Sequence, residues 1–238
     1  MVAITLPDGS VRNFDGPVSG AGLAADIGPG LAKAALAVKV DGDLRDLSRT
    51  IEADAHVEIV TRDHADALDL LRHDAAHIFA EAVQELFPDT QITFGPSIED
   101  GFYYDFHREE PFTPDDFEAM EKQMQKIVDR DEEIIREIWD RDAAIKHFSD
   151  AGEAFKAEHI GTIDASADIS IYRQGDWLDL CTGPHLPSTG KLGKAFKLLK
   201  LAGAYWRGDA KNPQLQRIYG TCWRSEKDSR AEVRRIGP

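Results

Sequence analysis

Apolar positions in the first 61 residues form short alternating runs that are separated by turn signals. The run at 2–14 is interrupted by a Pro-Asp-Gly turn and predicts a strand hairpin, and the run at 56–61 predicts a closing strand. Two short helices are expected between them, at 22–27 and 31–36. A hairpin followed by helices and more strands predicts a small α+β unit of the β-grasp type over residues 1–61.

The pattern changes to a helical period after residue 62. Pro88 cannot continue a helix, so the pattern predicts one long helix from about Asp63 to Phe87. Apolar side chains recur there every three or four residues, which predicts one face on a core: Leu68, Leu71, Ala75, Ile78, Ala82 and Leu86.

Shorter elements are predicted along the rest of the chain. Thr113 followed by Pro114 is a good helix start, and this helix is expected to run to about Arg130. Asp140 is expected to cap a further helix that runs through Phe148. Alternating or glycine-punctuated aromatic stretches predict strands in four places: 91–105, 133–139, 169–180 and 195–207.

These elements predict an α+β fold in two parts. We expect the small β-grasp unit at 1–61 to be followed by a larger α+β domain at 62–223, in which the long helix packs on an antiparallel sheet. Residues 224–238 are expected to be a linker or tail.

Composition narrows the class of protein. No run approaches the ~20 apolar residues that a membrane helix needs, and the first residues lack the charged and apolar regions of a secretory signal. The chain has only two cysteines, which fits a reducing compartment rather than a disulfide framework. We therefore expect a cytoplasmic protein.

The charge of −15 is unevenly distributed along the chain. From residue 190 to the end there are twelve Lys and Arg against four Asp and Glu. A globally acidic chain repels nucleic acid, but a basic segment can still bind a phosphate backbone locally. The other interpretation is a solvated basic tail.

Two pairs of side chains with the same spacing are candidates for chemistry. His73 and His77 lie four residues apart in the predicted long helix, so both imidazoles face one side. Cys181 and His185 repeat this spacing beside a Gly-Pro pair. Three nitrogens and one sulfur suit either a zinc ion or a metal-free cluster around a water. Each pair alone is also compatible with histidines on a wet helix face and a small buried cysteine.

Five ordered motifs occur along the chain: RHDAAHIFA at 72–80, GFYYD at 101–105, DLCTGPH at 179–185, LAGAYWRGD at 201–209 and LQRIYGT at 215–221. These motifs resemble the editing domain of bacterial-type threonyl-tRNA synthetases, and residues 1–61 resemble the TGS domain that precedes it. The resemblance covers about residues 1–223. The alanyl-tRNA editing branch shares the two histidine motifs and is the nearest alternative, but the GFYYD run and the TGS-like unit favour the threonyl branch.

The resemblance implies hydrolysis of the ester of mischarged Ser-tRNA(Thr). Serine lacks one methyl group of threonine, and a difference of that size discriminates by only ~1–3 kcal/mol, so a second hydrolytic site makes physical sense. By resemblance, His73 and His77 orient or activate water and contact the terminal ribose. Cys181 and His185 complete the pocket.

Three further residues receive roles in the same comparison, and Cys222 has no counterpart in it. Asp179 is expected to hold the substrate amino group, since a carboxylate pairs well with an ammonium. Tyr104 is expected to shape the pocket. Lys156 matches a family position near the ester and is expected to stabilise developing negative charge; alone it would read as a solvated helix-end lysine. Cys222 is expected to be structural.

The resemblance also implies partners and cofactors. The expected partner is the acceptor end of tRNA(Thr), and no membrane association is expected. Full-length members of the family are expected to be homodimers, whereas this chain alone can be a monomer. No metal is expected to be required, although zinc on His73, His77, Cys181 and His185 stays open.

The class II core, with its ATP site and catalytic zinc, has no counterpart after Trp223 in this sequence, so we do not expect this chain alone to activate threonine. Three alternatives stay open: a zinc-dependent alanyl-type editing hydrolase, a non-catalytic tRNA-binding or regulatory module, and a structural zinc module.

Overall fold

The structure, a computed structural model, describes residues 1–236, and the first part of the chain forms a mixed five-stranded sheet in the order β2-β1-β7-β4-β5. Strands β1 and β7 are parallel and the other neighbours are antiparallel. This confirms the predicted small α+β unit. Its elements are β1 (Val2–Thr5), β2 (Val11–Phe14), β3 (Val18–Ser19), α1 (Gly20–Ile27), α2 (Pro29–Ala34), β4 (Ala35–Val40), β5 (Asp43–Asp46), β6 (Thr50–Ile51) and β7 (Ala55–Thr61).

The second short helix of this unit ends earlier than predicted. Helix α2 stops at Ala34, and residues 35–40 form strand β4 instead of continuing the helix to Leu36. Strand β4 lies between β7 and β5, and its side chains are almost all buried. Pairing on both edges and burial on both faces therefore outweigh the local helical pattern.

The long helix α3 spans Ala67–Leu86, so it begins later than predicted and ends as predicted before Pro88. The preceding residues form a turn, in which the Ala67 amide donates to the His64 carbonyl. The helix is buried on nearly all sides rather than on one face. Leu68 is half-buried and Leu86 is exposed, whereas Phe79 and Val83, outside the predicted stripe, are fully buried.

Helix α3 packs on the largest antiparallel sheet of the second part, in the order β14-β15-β10-β8. The Phe79 ring contacts Phe102 and Phe106 of this sheet, with ring centroids 6.1 and 5.3 Å apart. This confirms the predicted packing of the HxxxH helix. The sheet comprises β8 (Gln91–Ile92), β9 (Ser97–Ile98), which pairs with β10, β10 (Gly101–His107), β14 (Phe196–Tyr205) and β15 (Gln214–Cys222).

A third sheet, in the order β11-β12-β13, completes the second part together with four helices. The predicted cap at Thr113 is present as a capping box before a 3-10 turn, and the Asp140 side chain caps α5. Helix α6 was not predicted. The elements are α4 (Phe117–Arg130), β11 (Ile134–Trp139), α5 (Arg141–Asp150), α6 (Ala154–Thr162), β12 (Ile169–Gln174), β13 (Trp177–Leu180) and α7 (Glu226–Ile236).

Part of the segment expected as a linker or tail is helical. Helix α7 begins after Ser225, whose hydroxyl accepts from the Asp228 amide at 3.2 Å, an N-cap interaction. Residues 237–238, the end of that segment, lie outside the described residues. Within residues 1–236, no helix has the length and apolar character needed to cross a membrane.

Candidate active site

The two histidines of α3 and the loop after β13 meet at one point. Helix geometry places the rings of His73 and His77 4.9 Å apart, on the side of α3 that faces this loop. His73 Nε2 lies 3.2 Å from Cys181 Sγ and 3.3 Å from His185 Nε2. One ligand atom from each of these residues lies within 4.8 Å of the others. The structure therefore brings all four predicted residues together.

The loop that carries Cys181 and His185 has a demanding backbone at Gly183. Its φ is +71°, and a Cβ at this position would lie 2.0 Å from the Tyr172 hydroxyl. Only glycine fits such a close approach in a left-handed conformation. The Gly183 amide donates to Cys181 Sγ at 3.3 Å, which stabilises negative charge on the sulfur. The tight turn brings His185 back toward Cys181.

The cluster is electrostatically coupled to a buried carboxylate. Asp74 Oδ1 lies 3.2 Å from His185 Nδ1, and the Leu186 amide donates to the same carboxylate. Burial disfavours imidazolium at His185, but attraction to Asp74 and Cys181 outweighs it and holds the pKa of His185 well above its usual value.

The thiol and the second helical histidine shift in the direction that favours chemistry. Burial alone would raise the pKa of Cys181, but attraction to the His185 imidazolium and hydrogen bonds with His185 and His73 outweigh it and hold this pKa well below the usual range. Burial lowers the pKa of His77, so its imidazole is neutral and can accept a proton at neutral pH.

The donor set of the cluster also fits a zinc ion. Tetrahedral zinc with nitrogen and sulfur ligands places those atoms about 3.3–3.6 Å apart. The separations from His73 Nε2, 3.2 and 3.3 Å, are close to these values, and all ligand atoms of the cluster lie within 4.8 Å of one another. The contact of Asp74 with His185 Nδ1 matches the carboxylate that often orients a ligating histidine. The cluster can therefore bind a metal.

A second charged centre lies beside the cluster. Lys156 Nζ is 2.6 Å from Asp179 Oδ1, and the side chains of both are 1% exposed. Asp179 also accepts hydrogen bonds from the Tyr104 hydroxyl at 3.1 Å and from the Leu180 amide at 2.7 Å. His77 Nδ1 lies 3.6 Å from the same carboxylate and connects the two centres. Burial, reinforced by Asp179, raises the pKa of Tyr104 well above its usual value.

The centres open onto a cavity of about 450 Å³. His73, His77, Cys181, Asp179, Lys156 and Tyr104 all line it, whereas His185 lies behind its wall. Aromatic and apolar residues form much of the remaining wall, including Phe94, Pro96, Tyr103 and Ile163. A concave, mostly apolar space with a few convergent polar groups is typical of a small-ligand site.

Three residues of the site's surroundings were missed from the sequence. Asp74, directly after His73 in the motif, could have been found because a buried helix rarely carries an unpaired acid. Tyr172 packs on His185, with ring centroids 4.2 Å apart. Asp46, from the N-terminal sheet, accepts a hydrogen bond from the His185 amide at 2.8 Å, and no local pattern signals it. Cys222 is fully buried and outside the cluster.

Two family models match parts of the chain. Residues 2–61 match the TGS domain, and residues 169–219 match the threonyl and alanyl tRNA synthetase second additional domain. The second match includes Tyr172, Asp179, Cys181 and His185 of the site.

Curated relatives are similar over nearly the whole chain. A threonine–tRNA ligase from Rhodospirillum rubrum is 65% identical over 95% of the chain, which covers 35% of that protein. Those from Paramagnetospirillum magneticum and Thiobacillus denitrificans are 65% and 62% identical over 96% and 99% of the chain, which covers 36% and 37% of them. The chain thus spans about a third of the length of these curated relatives and corresponds to their N-terminal part.

Proposed function

We propose that this chain, which is similar to the N-terminal third of threonine–tRNA ligases, proofreads for such an enzyme by hydrolysing the ester of mischarged Ser-tRNA(Thr). The observation that carries the proposal is the cluster of His73, His77, Cys181 and His185 with the Lys156–Asp179 pair around one cavity. A module that only binds tRNA has no need of such a coupled set of buried acids and bases.

In the proposed reaction a water attacks the ester carbonyl carbon. His73 and His77 are on the cavity wall and orient this water; the neutral imidazole of His77 is able to take its proton. The bond between the carbonyl carbon and the ribose oxygen then breaks, the protonated His77 passes its proton to the ribose oxygen, and serine is released. Cys181 completes the polar side of the pocket, and Cys181 and His185 together hold His73.

The second centre is assigned to charge stabilisation. The Lys156 ammonium, fixed by Asp179, provides a buried positive charge for the oxygen that becomes negative in the transition state. The carboxylate of Asp179 attracts the substrate ammonium, so that the substrate and Lys156 share this one carboxylate. Tyr104, bonded to Asp179, fixes the orientation of that carboxylate and shapes the wall.

We further propose that hydrolysis needs no metal. The separations of 3.2 and 3.3 Å from His73 Nε2 suit hydrogen bonds as well as zinc ligation. The neutral imidazole of His77 and the ammonium of Lys156 supply a base and a positive charge without an ion. If bound, zinc would supply Lewis acidity on the same four residues. The proposed partner is the acceptor end of tRNA(Thr), and the proposed compartment is the cytoplasm. The same cluster is what favours the second candidate, a zinc-dependent editing hydrolase of the alanyl type.

The test is deacylation of Ser-tRNA and Thr-tRNA of the threonine acceptor class by the purified chain. We expect faster release of serine than of threonine. We expect His73→Ala to slow serine release by about 10²–10⁴-fold, the usual size of a general acid–base contribution. His56→Ala, an exposed histidine of the N-terminal unit, is the matched control and should leave the rate unchanged. Equal, uncatalysed rates for both esters would refute the proposed activity of this chain.

A second measurement separates the metal-free and zinc-dependent candidates. Protein dialysed against a chelator and checked by elemental analysis should retain its rate of serine release. Loss of that rate, with recovery on adding Zn²⁺, would instead support the alanyl-type candidate. Loss of the folded state on chelation would support a structural zinc module.

A further inference from the structure

Asp46 belongs to the N-terminal sheet, but its carboxylate contacts the loop of the candidate active site. It is the last residue of β5 and is 7% exposed. Its Oδ1 accepts a hydrogen bond from the His185 amide at 2.8 Å. Its Oδ2 accepts one from the Tyr172 hydroxyl at 2.9 Å. Both oxygens are therefore used by residues more than 120 positions away in the chain.

These two hydrogen bonds fix the backbone of the loop that carries Cys181 and His185. The Tyr172 hydroxyl packs closely against Gly183, since a Cβ at this position would lie 2.0 Å from it. The Tyr172 ring also packs against the His185 ring. Asp46 thus fixes His185 directly through its amide, and fixes the turn before it through Tyr172.

His185 is consequently held between carboxylates from two parts of the chain. Asp74 of α3 contacts the ring at Nδ1 and accepts from the next amide, that of Leu186. Asp46 accepts from the amide of His185 itself. Buried hydrogen bonds to a carboxylate are shorter and stronger than neutral ones, and they restrict both the ring and its backbone.

We propose that Asp46 is a positioning residue for the hydrolytic site: the N-terminal unit supplies the carboxylate that aims His185 at His73 and Cys181. The kinetic part of this inference rests on the proposed function. The geometric part does not, because the hydrogen bonds exist whatever the cavity binds. The consequence is that ester hydrolysis depends on a residue outside the larger α+β part, which carries the other groups of the site.

Three variants separate the two bonds. Asp46→Ala removes both, whereas Asp46→Asn keeps an oxygen that accepts from the His185 amide. Tyr172→Phe removes only the bond to the hydroxyl. Asp43→Ala is the matched control, because Asp43 lies on the same strand with an exposed side chain that pairs with Arg45.

The first readout is serine release from Ser-tRNA(Thr), separated into kcat and KM. We expect Asp46→Ala to lower kcat by about 10–100-fold with KM within about twofold, since a misplacement of ~1 Å at a catalytic group has an effect of that size. Asp46→Asn and Tyr172→Phe should each lose less, and Asp43→Ala nothing. A residue that only stabilised the fold would not produce this graded loss in kcat at temperatures where every variant is folded.

The second readout is hydrogen exchange of the amides in residues 181–187, measured by mass spectrometry. Asp46→Ala should speed their exchange by about tenfold or more, while exchange in the interior of α3 stays at the wild-type rate. This measurement needs no tRNA. If the wild-type chain has no hydrolytic activity, the proposed function fails, but the loop exchange still decides whether Asp46 positions His185.

Two results would overturn the inference. One is a kcat for Asp46→Ala equal to that of Asp43→Ala; the other is loop exchange unchanged by Asp46→Ala. If Asp46→Ala does not fold, Asp46→Asn and Tyr172→Phe decide by the same two readouts, and wild-type values for both variants refute the positioning role.

Discussion

The cavity contains two charged centres that touch at His77 but are built differently. In the centre formed by His73, His77, Cys181 and His185, the side chains bond mainly to one another, and a proton can occupy several positions. In the centre formed by Lys156 and Asp179, the carboxylate is occupied by donors with fixed positions. The first arrangement suits proton transfer and the second suits a constant electrostatic field.

This difference predicts different responses to mutation. Loss of one member of the first centre leaves other polar groups that can repair the hydrogen bonds, so the effect should be mainly on rate. Loss of Lys156 leaves the buried charge of Asp179 without its counterion, so the effect should include stability.

The largest expected effect is therefore that of Lys156→Met. Removing one partner of a buried ion pair is strongly destabilising, by about 3–5 kcal/mol in the free energy of unfolding. Adding Asp179→Asn removes the unpaired charge and should recover most of that loss, without recovering hydrolysis. Chemical denaturation of the single and double variants measures this. Lys200→Met, on an exposed strand position, is the control. A single variant as stable as this control would show that the pair is not the fixed charge inferred above.

A smaller effect concerns Glu153, a buried acid next to the second centre. Its carboxylate accepts from the Ile92 amide at 2.9 Å and from the Gln84 side chain. Burial raises its pKa from 4.5 to about 7. The folded state therefore binds more protons than the unfolded state between these values, and stability falls as pH rises through this window. Full ionisation would cost about 3 kcal/mol.

Glu153→Gln removes this titration and should flatten the dependence of stability on pH between about 4.5 and 7. The variant should gain on the wild type as pH rises, which denaturation series at pH 5, 6, 7 and 8 would measure. Glu81 has a pKa raised to about 7 by the same cause, so some slope should remain. Glu52→Gln, at an exposed position, should keep the full slope. An identical slope in Glu153→Gln and wild type would contradict the assignment.

The two centres also differ in how far the sequence could predict them. The first consists of two local spacings, and helical geometry alone places His73 and His77 on one side. Cys181 and His185 likewise lie within one turn. What spacing could not decide is that the two pairs meet, because that depends on the packing of α3 against the β13 loop. Only the resemblance to a family predicted it.

The second centre has no local signal. Lys156 lies on α6, whose first turn has no side-chain cap to mark its start, and the helix was missed. Asp179 lies on β13, and Tyr104 lies on β10, which belongs to a different sheet. These three residues come together only through the tertiary packing of α6, β13 and β10. From the sequence alone, a solvated lysine is a reasonable interpretation of Lys156. In the structure its side chain is buried.

The fold shows the same contrast between local and long-range control. Elements with explicit start signals, such as the helix after Thr113 and the one capped by Asp140, were predicted closely. Strand β4 was partly predicted as helix, since its pairing with β7 and β5 is not visible in the local pattern. The reach of Asp46 into the loop after β13 belongs to the same class.

The smallest expected effect is on thiol reactivity, which reports whether the proton of Cys181 has moved to another member of the first centre. Cys181 faces the cavity with a pKa well below its usual value, whereas burial raises the pKa of Cys222 to about 12. In chelator-treated protein, iodoacetamide should therefore alkylate Cys181 and spare Cys222 at pH 7. The rate at Cys181 should change little between pH 6 and 8, because the thiolate is already formed.

Asp74→Asn should change this pH profile rather than the identity of the labelled residue. Without the carboxylate, His185 loses the charge that stabilises the Cys181 thiolate, and labelling should rise by about tenfold per pH unit over the same range. Asp69→Asn, an exposed position on the same helix, should keep the flat profile. Mass spectrometry of quenched samples measures both rates. A tenfold rise per pH unit in the wild type itself would mean that Cys181 is an ordinary thiol. It would contradict the transfer of its proton to another member of the first centre.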